Sequence, residues 1–251
     1  MGGVRGILVR LGLLALGAIY IAMGAVSARV AFLGARREEG VPGALRFLLD
    51  QPRGLRILGA VVAGLAGIAL VHLLEAVTGR RPGWVRAGLA ANALGYGALA
   101  WTAARLLFHI GRGGQSLERM GISWLLGEAW GATLLELVGA AVVAGGFWQA
   151  YQGLRGRLDF SRKLLPRRLS RMLVFIARFG LLTRGLVLGG LGFFLIRAAE
   201  ELDPGRVQTM GGVLHAFSQM ALGPVFVGFV ALGLVAYGVS LWTRTLLKRR
   251  V

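Results

Sequence analysis

The sequence predicts an all-α polytopic membrane protein with six transmembrane helices, arranged as three tandem two-helix repeats. Three observations support this prediction: the apolar composition, the number and length of the apolar stretches, and an internal repeat of arginine and glycine positions. Of the 251 residues, 56% are hydrophobic and 16% are charged, and the mean hydropathy is +0.67. Soluble globular domains carry about 25% charged residues, so this composition indicates a membrane protein.

Six apolar stretches are each long enough to cross a bilayer as a helix. A helix rises about 1.5 Å per residue, so about 20 residues span the ~30 Å hydrocarbon core. Glycines are abundant inside the stretches, and such small residues let neighbouring helices approach closely in lipid. The predicted spans are residues 11–28, 57–77, 87–104, 133–151, 179–196 and 225–242.

An Arg-x-Gly motif opens the first helix of each predicted repeat. It begins at Arg10 in the first repeat and recurs at Arg86 and Arg178. Each of these arginines is followed by a second one, always at the same separation along the chain, namely Arg29, Arg105 and Arg197. A helix that runs from the first arginine to the second measures about 28 Å. Each pair of arginines therefore brackets one span at its two interfaces.

The second helices repeat through their glycines. Five positions of the first copy recur in the third with one constant offset: Gly43, Leu45, Gly54, Gly59 and Gly64 match Gly212, Leu214, Gly223, Gly228 and Gly233. The second copy keeps Gly131, opposite Gly54 and Gly223. Self-similarity at this length indicates one structural unit used three times. The predicted repeats are residues 1–79, 80–158 and 159–251, the third with a basic cytoplasmic lead-in.

A shorter amphipathic segment lies between the two spans of each repeat. Its apolar residues step by three or four positions, which places them in one stripe along a helix. We expect these segments to lie flat at the membrane surface. The stripes are Val41, Ala44, Leu45 and Leu48 in the first repeat, Leu117, Met120 and Trp124 in the second, and Val207, Met210, Leu214, Phe217 and Ala221 in the third.

The basic residues are distributed unequally between the two sides of the predicted topology. The termini and the loops after the second and fourth spans hold 17 lysines and arginines, whereas the other three loops hold 11, together with eight of the eleven acidic residues. The positive-inside rule therefore predicts that both termini are cytoplasmic. The formal charge of +18 suits anionic lipid headgroups and not a nucleic acid, because the arginines lie between apolar runs.

The first 40 residues also carry features of a secretory signal. Arg5 and Arg10 precede an apolar run, and small residues at 25–28 resemble a cleavage site. The repeat argues against cleavage, because this segment supplies its first copy.

Several kinds of catalytic and metal site are missing from the sequence. With no cysteine, the chain has no disulfide, thiolate metal site or thiol nucleophile. His72 and Glu75 have the spacing of two metal ligands on one helical face, but His109 and His215 are the other histidines and are expected on the far side. We find no catalytic triad, phosphate loop or dinucleotide motif. We therefore expect no enzyme, metal or cofactor.

The third copy opens with the segment Ala177-Arg178-Phe179-Gly180-Leu181-Leu182-Thr183-Arg184-Gly185. With its Arg-x-Gly signature and three consecutive helix pairs, the sequence resembles a bacterial membrane family described as domain of unknown function 1206. The resemblance covers nearly the whole chain and implies a six-span protein of the bacterial cytoplasmic membrane with no assigned activity. Where the third copy has Arg184, the first has Leu16 and the second has Asn92.

Four strongly polar residues within the spans form the candidate site: His72, Glu75, Asn92 and Arg184. Because burying an ionisable group in a membrane is costly, such residues are candidates for function. Counted along the helices, the four reach a similar depth, whereas Glu136 enters from the other side. We predict a salt bridge between Glu75 and Arg184, with His72 and Asn92 nearby, as an ion or proton relay. The alternative is that the charged side chains snorkel to an interface or pair structurally.

If the three repeats close into a ring around an axis normal to the membrane, the arginine pairs form two charged girdles. These are Arg10, Arg86 and Arg178 on the cytoplasmic side and Arg29, Arg105 and Arg197 on the outer side. Such rings favour anions when they line a pore, and they bind lipid phosphate when they face outward. We expect the outward arrangement.

Three function classes remain, of which an intramembrane enzyme is the least favoured. The first is a conduit or transporter for a small solute or ion, with parallel internal repeats and a path between them. The alternative is a structural or accessory subunit that binds a membrane-protein partner, or a second copy of itself, through its glycine-rich faces. A continuous water-accessible cavity would favour the first function, and polar residues scattered on outer faces would favour the second.

Overall fold

The computed structural model describes residues 3–33, 40–79, 82–108, 124–128, 130–155, 166–203, 210–219 and 223–247. Within these ranges every regular element is a helix, so the prediction of an all-α protein is confirmed. The described helices are α1 (Val4–Leu33), α2 (Val41–Leu49), α3 (Gly54–Thr78), α4 (Gly83–Leu107), α5 (Gly131–Arg155), α6 (Arg167–Glu200), α7 (Met210–Ser218) and α8 (Gly223–Leu247).

Five of the described helices are long and apolar enough to cross a membrane: α1, α3, α5, α6 and α8. The chain therefore has the helices of a polytopic membrane protein. Helix α4 has the same 25-residue length as α3 and α5. It is less apolar because Arg86, Asn92 and Arg105 interrupt its alanine-rich sequence. The sixth span stays a prediction.

One glycine begins the second long helix of each repeat, where the chain turns sharply after a short helical segment. Gly54, Gly131 and Gly223 are the first residues of α3, α5 and α8. A Cβ at these positions would collide with the carbonyl oxygens of Leu49, Leu125 and Ser218, respectively. Glycine is required at all three positions because the backbone of the preceding segment lies there. The second repeat therefore makes the same turn as the other two.

The long helices pack as antiparallel neighbours in an order that follows the repeats. Within a repeat, α1 packs against α3 and α6 packs against α8. Between repeats, the second helix of one contacts the first helix of the next: α3 with α4, α5 with α6, and α8 with α1. The last contact joins the third repeat back to the first, as a ring requires.

The middle repeat departs from this order. In the described part of the chain, α4 and α5 do not pack along one another, although α4 contacts α3 and α2, and α5 contacts α6. Large apolar side chains on both helices are exposed, among them Leu94 and Phe147. The six long helices therefore follow the order of a ring that is open between α4 and α5. The threefold rotation between the repeats stays a prediction.

Glycines form the closest contacts between the long helices. A Cβ on Gly146 of α5 would lie 2.6 Å from the carbonyl oxygen of Gly185 on α6, and one on Gly238 of α8 would lie 2.6 Å from that of Gly17 on α1. Such backbone approach provides dispersion contacts between helices, which matter in lipid because burial there brings no hydrophobic gain. The glycine-rich faces are therefore packing surfaces inside this protein.

The short helices α2 and α7 cover one end of the bundle with their apolar faces. Leu45 of α2 and Leu214 of α7 are 0% exposed and occupy equivalent positions of the first and third repeats. α2 packs against α1, α3 and α4, and α7 packs against α6 and α8. The amphipathic helices of these two repeats are confirmed, and their place at the membrane surface stays a prediction. In the predicted stripe of the second repeat, Trp124 is exposed. Four other residues of the predicted stripes lie outside the described residues: Leu117, Met120, Val207 and Ala221.

The main buried apolar cluster is centred on the half of the bundle that is nearer to α2 and α7, and it extends to Leu16 of α1 and Leu241 of α8 in the other half. Below these two helices, side chains from α1, α3, α6 and α8 interdigitate with almost no exposed surface. The largest of them are Met23, Leu58, Leu65, Val187, Val230 and Leu234. This half of the bundle is therefore packed as a core.

Candidate functional site

Arg184 lies in the middle of α6 and points toward side chains from other helices. Its Nε donates a hydrogen bond to the Tyr20 hydroxyl oxygen on α1, at 2.8 Å. Its Nη1 donates one to Oε1 of Gln149 on α5, at 2.7 Å. The guanidinium carbon also lies 5.6 Å from the ring centre of Tyr20 and 4.9 Å from that of Tyr237 on α8. Hydrogen bonds and cation–π contacts together orient this partly buried cation.

Two further tyrosine contacts complete the surroundings of Arg184. The rings of Tyr20 and Tyr237 meet edge to face with centres 4.8 Å apart. Tyr96 of α4 lies within electrostatic range of the guanidinium, and its ring centre is 5.4 Å from that of His72 on α3. Because α4 and α5 are at the two ends of the packing order, a flat row of helices would not bring both to one arginine. The helices therefore curve around Arg184.

We name five of these side chains the central polar cluster: Tyr20, Tyr96, Gln149, Arg184 and Tyr237. Its members occupy related positions in the repeats. Tyr20 and Tyr96 are separated by the same offset that relates Arg10 to Arg86. Gln149 follows His72 by the same offset that relates Gly54 to Gly131.

The third repeat supplies its polar pair one helical turn away from the equivalent positions. In the third repeat, Leu188 is equivalent to Tyr20, and Leu241 is equivalent to His72. Arg184 lies four residues before Leu188, and Tyr237 lies four residues before Leu241. Each junction between repeats thus holds one polar pair: His72 with Tyr96, Gln149 with Arg184, and Tyr237 with Tyr20. The cluster is a product of the internal repeat.

The family comparison matches three segments of the chain, residues 11–79, 87–156 and 179–248. The chain belongs to the family described as Domain of Unknown Function (DUF1206). This confirms the predicted family and its three tandem copies. An uncharacterized protein of Bacillus subtilis strain 168, YxxB, is 29% identical over 240 residues, which cover 91% of this chain and 86% of that protein. No solved structure matches.

The predicted salt bridge of this DUF1206 protein, between Glu75 and Arg184, is wrong. Glu75 pairs with Arg5, because the first turn of α1 lies beside the last turns of the antiparallel α3. Arg184 instead finds its partners in Tyr20 and Gln149. The sequence showed that the two charges had a similar depth, but not which helical faces meet.

The other predicted site residues are distributed unevenly. His72 adjoins the central polar cluster through Tyr96, while its Nδ1 lies 2.8 Å from the carbonyl oxygen of Ile68, one turn earlier in α3. Asn92 is exposed on α4, as is Glu136 on α5. The structure therefore brings His72 near Arg184 through Tyr96 and leaves Asn92 at the surface.

The six bracketing arginines make different contacts. Arg86 donates to the carbonyl oxygens of Ala76 at 2.7 Å and Val77 at 3.3 Å, which caps the end of α3. Arg29 lies over the Phe47 ring of α2 at 5.5 Å. Arg197 pairs with Glu201 at 2.5 Å. Of the six, Arg29, Arg86 and Arg197 are exposed, and Arg10, Arg105 and Arg178 are partly buried. Binding of lipid phosphate by these arginines stays a prediction.

In the described ranges, no three His, Asp or Glu side chains come together as a metal site would require. His109 and the side chain of His215 lie outside the described residues. The expectation that this DUF1206 protein holds no metal stays a prediction.

Four members of the central polar cluster are not among the site residues that the sequence predicts: Tyr20, Tyr96, Gln149 and Tyr237. In the sequence, Tyr20 has the features of an interface anchor or a packing residue, because a single tyrosine in an apolar helix most often has that role. The signal that could have identified it was the repeat, since Tyr20 and Tyr96 share the offset of the arginines. Polar residues at equivalent positions of two repeats would face the same junctions.

Proposed function

We propose that this protein is a small-solute carrier with six spans in the bacterial cytoplasmic membrane, and that it has no catalytic role. The observation that carries the proposal is the central polar cluster, to which five long helices contribute and whose pairs lie at the junctions between repeats. Carriers with internal repeats bind their substrates at repeat interfaces. An ionisable residue inside such a bundle favours a functional role because its burial is costly.

The packing favours a carrier over an open channel. The half of the bundle that is nearer to α2 and α7 is filled by apolar side chains such as Met23 and Leu234. The side between α4 and α5 is open, and it is flanked by the partly buried Tyr96 and Gln149. A solute would therefore reach the cluster from this side, and the apolar half would have to open before it could leave.

We propose that both termini are cytoplasmic and that α2 and α7 lie on the outer side. The unequal distribution of 17 against 11 basic residues supports this orientation. Anionic headgroups of the inner leaflet would then neutralise the basic loops. A reporter that is active only in the periplasm should stay inactive when it is fused after Val251, and an active fusion would reverse the orientation.

Cysteine accessibility tests the carrier proposal, because the chain has no cysteine of its own. In membrane vesicles of either orientation, Tyr96→Cys should react with a charged, membrane-impermeant thiol reagent. Leu94→Cys is the control: Leu94 is 76% exposed on the same helix, where lipid would exclude the reagent. Met23→Cys lies in the apolar half of the bundle near α2 and α7, so it should react with the same reagent only slowly. The reaction should occur from the outer side, when this half opens. If Tyr96→Cys resists the reagent from both sides, the chain offers no path for a solute.

A second candidate, an accessory subunit, is favoured by the open side of the ring. Leu94 on α4 and Leu137, Phe147 and Trp148 on α5 are all at least 60% exposed. A partner helix that covered these faces would complete the ring. In this case one membrane protein should purify in stoichiometric amounts with the chain in mild detergent, and Phe147→Ser should release it. Recovery of the chain alone, with a reactive Tyr96→Cys, would leave the carrier proposal.

A further inference from the structure

Arg184 has more hydrogen-bond donors than the described residues satisfy. A guanidinium carries five N–H groups and has no acceptor. The Nε–H and one Nη1–H are used by Tyr20 and Gln149. Among the described residues, no carboxylate accepts a hydrogen bond from the remaining three, since Glu75 pairs with Arg5. The second nitrogen of the guanidinium fork is therefore free to bind a ligand.

The other members of the cluster also contribute donors. The Tyr20 oxygen accepts from Arg184, so its own hydroxyl hydrogen is still available. The hydroxyl groups of Tyr96 and Tyr237 make no hydrogen bond within the described residues, and both side chains are only partly buried. The two acceptors that Arg184 uses are the Tyr20 hydroxyl oxygen and the Gln149 amide oxygen, which leaves the amide N–H groups of Gln149 as further donors. The cluster is therefore positively charged and offers several donors that the described residues do not use.

We infer that the central polar cluster binds one oxyanion, a carboxylate or a phosphate, with Arg184 as its charge partner. The ionised oxygens of a carboxylate or a phosphate accept hydrogen bonds and donate none, so they complement these donors. The planar guanidinium fork suits the two oxygens of such a group. The inference rests on the proposed function and names the class of its solute.

Charge supports the same assignment. An isolated cation in a low-dielectric interior is costly, and the rings of Tyr20 and Tyr237 offset only part of that cost. A bound anion supplies the missing counter-charge. Leu16 and Asn92 stand at the positions equivalent to Arg184, so one repeat alone supplies a cation and the expected stoichiometry is one anion per chain. The source of the anion is either a free solute or a lipid headgroup that enters between α4 and α5.

Equilibrium binding tests the inference with the purified full chain in nanodiscs of neutral phosphatidylcholine. Acetate and inorganic phosphate are the probes, and titration calorimetry is the measurement. At least one probe should bind with a one-to-one stoichiometry. Arg184→Gln should abolish this binding. Arg197→Gln is the matched control on the same helix, because Arg197 is exposed and pairs with Glu201. This variant should bind the probe as tightly as the wild type does.

Conservative variants keep the test valid if Arg184→Gln fails to fold. Tyr96→Phe and Tyr237→Phe preserve the aromatic rings and remove one hydroxyl donor each. Each should weaken binding by about tenfold, the effect of losing one hydrogen bond to a charged group. Arg184→Lys keeps the charge and loses the fork, so it should also bind more weakly. Wild-type affinity in the two phenylalanine variants would overturn the inference.

Nanodiscs that contain phosphatidylglycerol distinguish the two sources of the anion. If a lipid headgroup occupies the cluster, phosphatidylglycerol should lower the affinity for the free probes, and native mass spectrometry should detect one lipid that Arg184→Gln loses. If the ligand is a free solute, the lipid should have no effect. The inference is overturned if neither probe nor lipid binds, or if Arg184→Gln binds as the wild type does.

The outcomes separate this inference from the carrier proposal. Arg184-dependent binding together with an unreactive Tyr96→Cys would support the anion site and contradict the carrier. A reactive Tyr96→Cys together with binding that does not depend on Arg184 would support the carrier and contradict the anion site.

Discussion

At the scale of single residues, the arrangement around Arg184 shows how a membrane bundle accommodates a cation without a carboxylate. Two neutral acceptors, the Tyr20 hydroxyl and the Gln149 amide, bind its N–H groups, and two aromatic rings face its charge. Neutral partners leave the positive charge uncompensated, whereas a salt bridge would cancel it. The arginine is thereby oriented and still able to attract an anion.

Tyr20→Phe should destabilise the protein through Arg184. The substitution keeps the ring contact with Tyr237 but leaves Nε–H of Arg184 without its acceptor. An unsatisfied donor on a charged group costs about 1–3 kcal/mol. Thermal unfolding in detergent should show this loss. The control is Tyr151→Phe on the exposed Tyr151, which should have no measurable effect, and equal stability of the two variants would contradict the role assigned to Tyr20.

Glu75→Gln should have only a small effect on stability. The Glu75 pair with Arg5 is partly exposed, and exposed ion pairs contribute about 0–1 kcal/mol. A double-mutant cycle with Arg184→Gln should be additive within about 0.5 kcal/mol, because the two side chains do not pair. A larger coupling energy, measured by chemical unfolding, would restore the salt bridge that the sequence suggested.

At the scale of helices, the glycines decide which faces pack. On α5, Gly139, Gly146 and Gly153 recur at heptad spacing and face the backbone of α6. Gly145, next to Gly146, has open space where a side chain would extend. Glycine content alone therefore does not identify a packing face, since only the heptad-spaced glycines touch the neighbouring helix.

Gly146→Ala should weaken the contact of α5 with α6. Its Cβ would lie 2.6 Å from the Gly185 carbonyl oxygen, so the helices would have to separate. Overpacking of this kind costs about 1–3 kcal/mol. Gly145→Ala is the matched control and should be neutral or slightly stabilising, because alanine has the higher helix propensity. Unfolding midpoints that do not differ between the two variants would show that this contact does not matter for stability.

At the scale of the whole molecule, three repeats form a ring order with one open side. The junction contacts recur three times, and the α8 contact with α1 joins the last repeat to the first. In the described part of the chain, the two long helices of the middle repeat do not pack along one another, unlike those of the first and third repeats. Because α4 and α5 both reach the central polar cluster, the opening leads to Arg184.

Cross-linking tests the curvature of this arrangement. Tyr96→Cys and Gln149→Cys, combined in one chain, should be bridged by a bismaleimide that spans about 10–15 Å, roughly one helix diameter or more. Direct disulfide formation should be poor, because α4 and α5 do not pack together. Phe179→Cys with Phe229→Cys is the positive control, since the two rings meet between α6 and α8 with centres 4.8 Å apart. If the bismaleimide bridges only the control pair, the helices form a row.

The sequence by itself determined the helical class, the three repeats, the family and the two amphipathic helices that the structure describes. These features follow from periodicity, from the thickness of a bilayer and from offsets between identical residues, all of which can be read along the chain. The order of the helices around the ring follows from the same repeat.

Only the tertiary structure decided the partners of Arg184. Tyr20 lies far from Arg184 along the chain, and its contact depends on how α1 and α6 are rotated about their own axes. Helix rotation is set by the packing of many distant side chains, so depth along a helix does not reveal it. For the same reason, the sequence did not reveal that Glu75 pairs with Arg5 and not with Arg184. It also did not reveal the opening between α4 and α5.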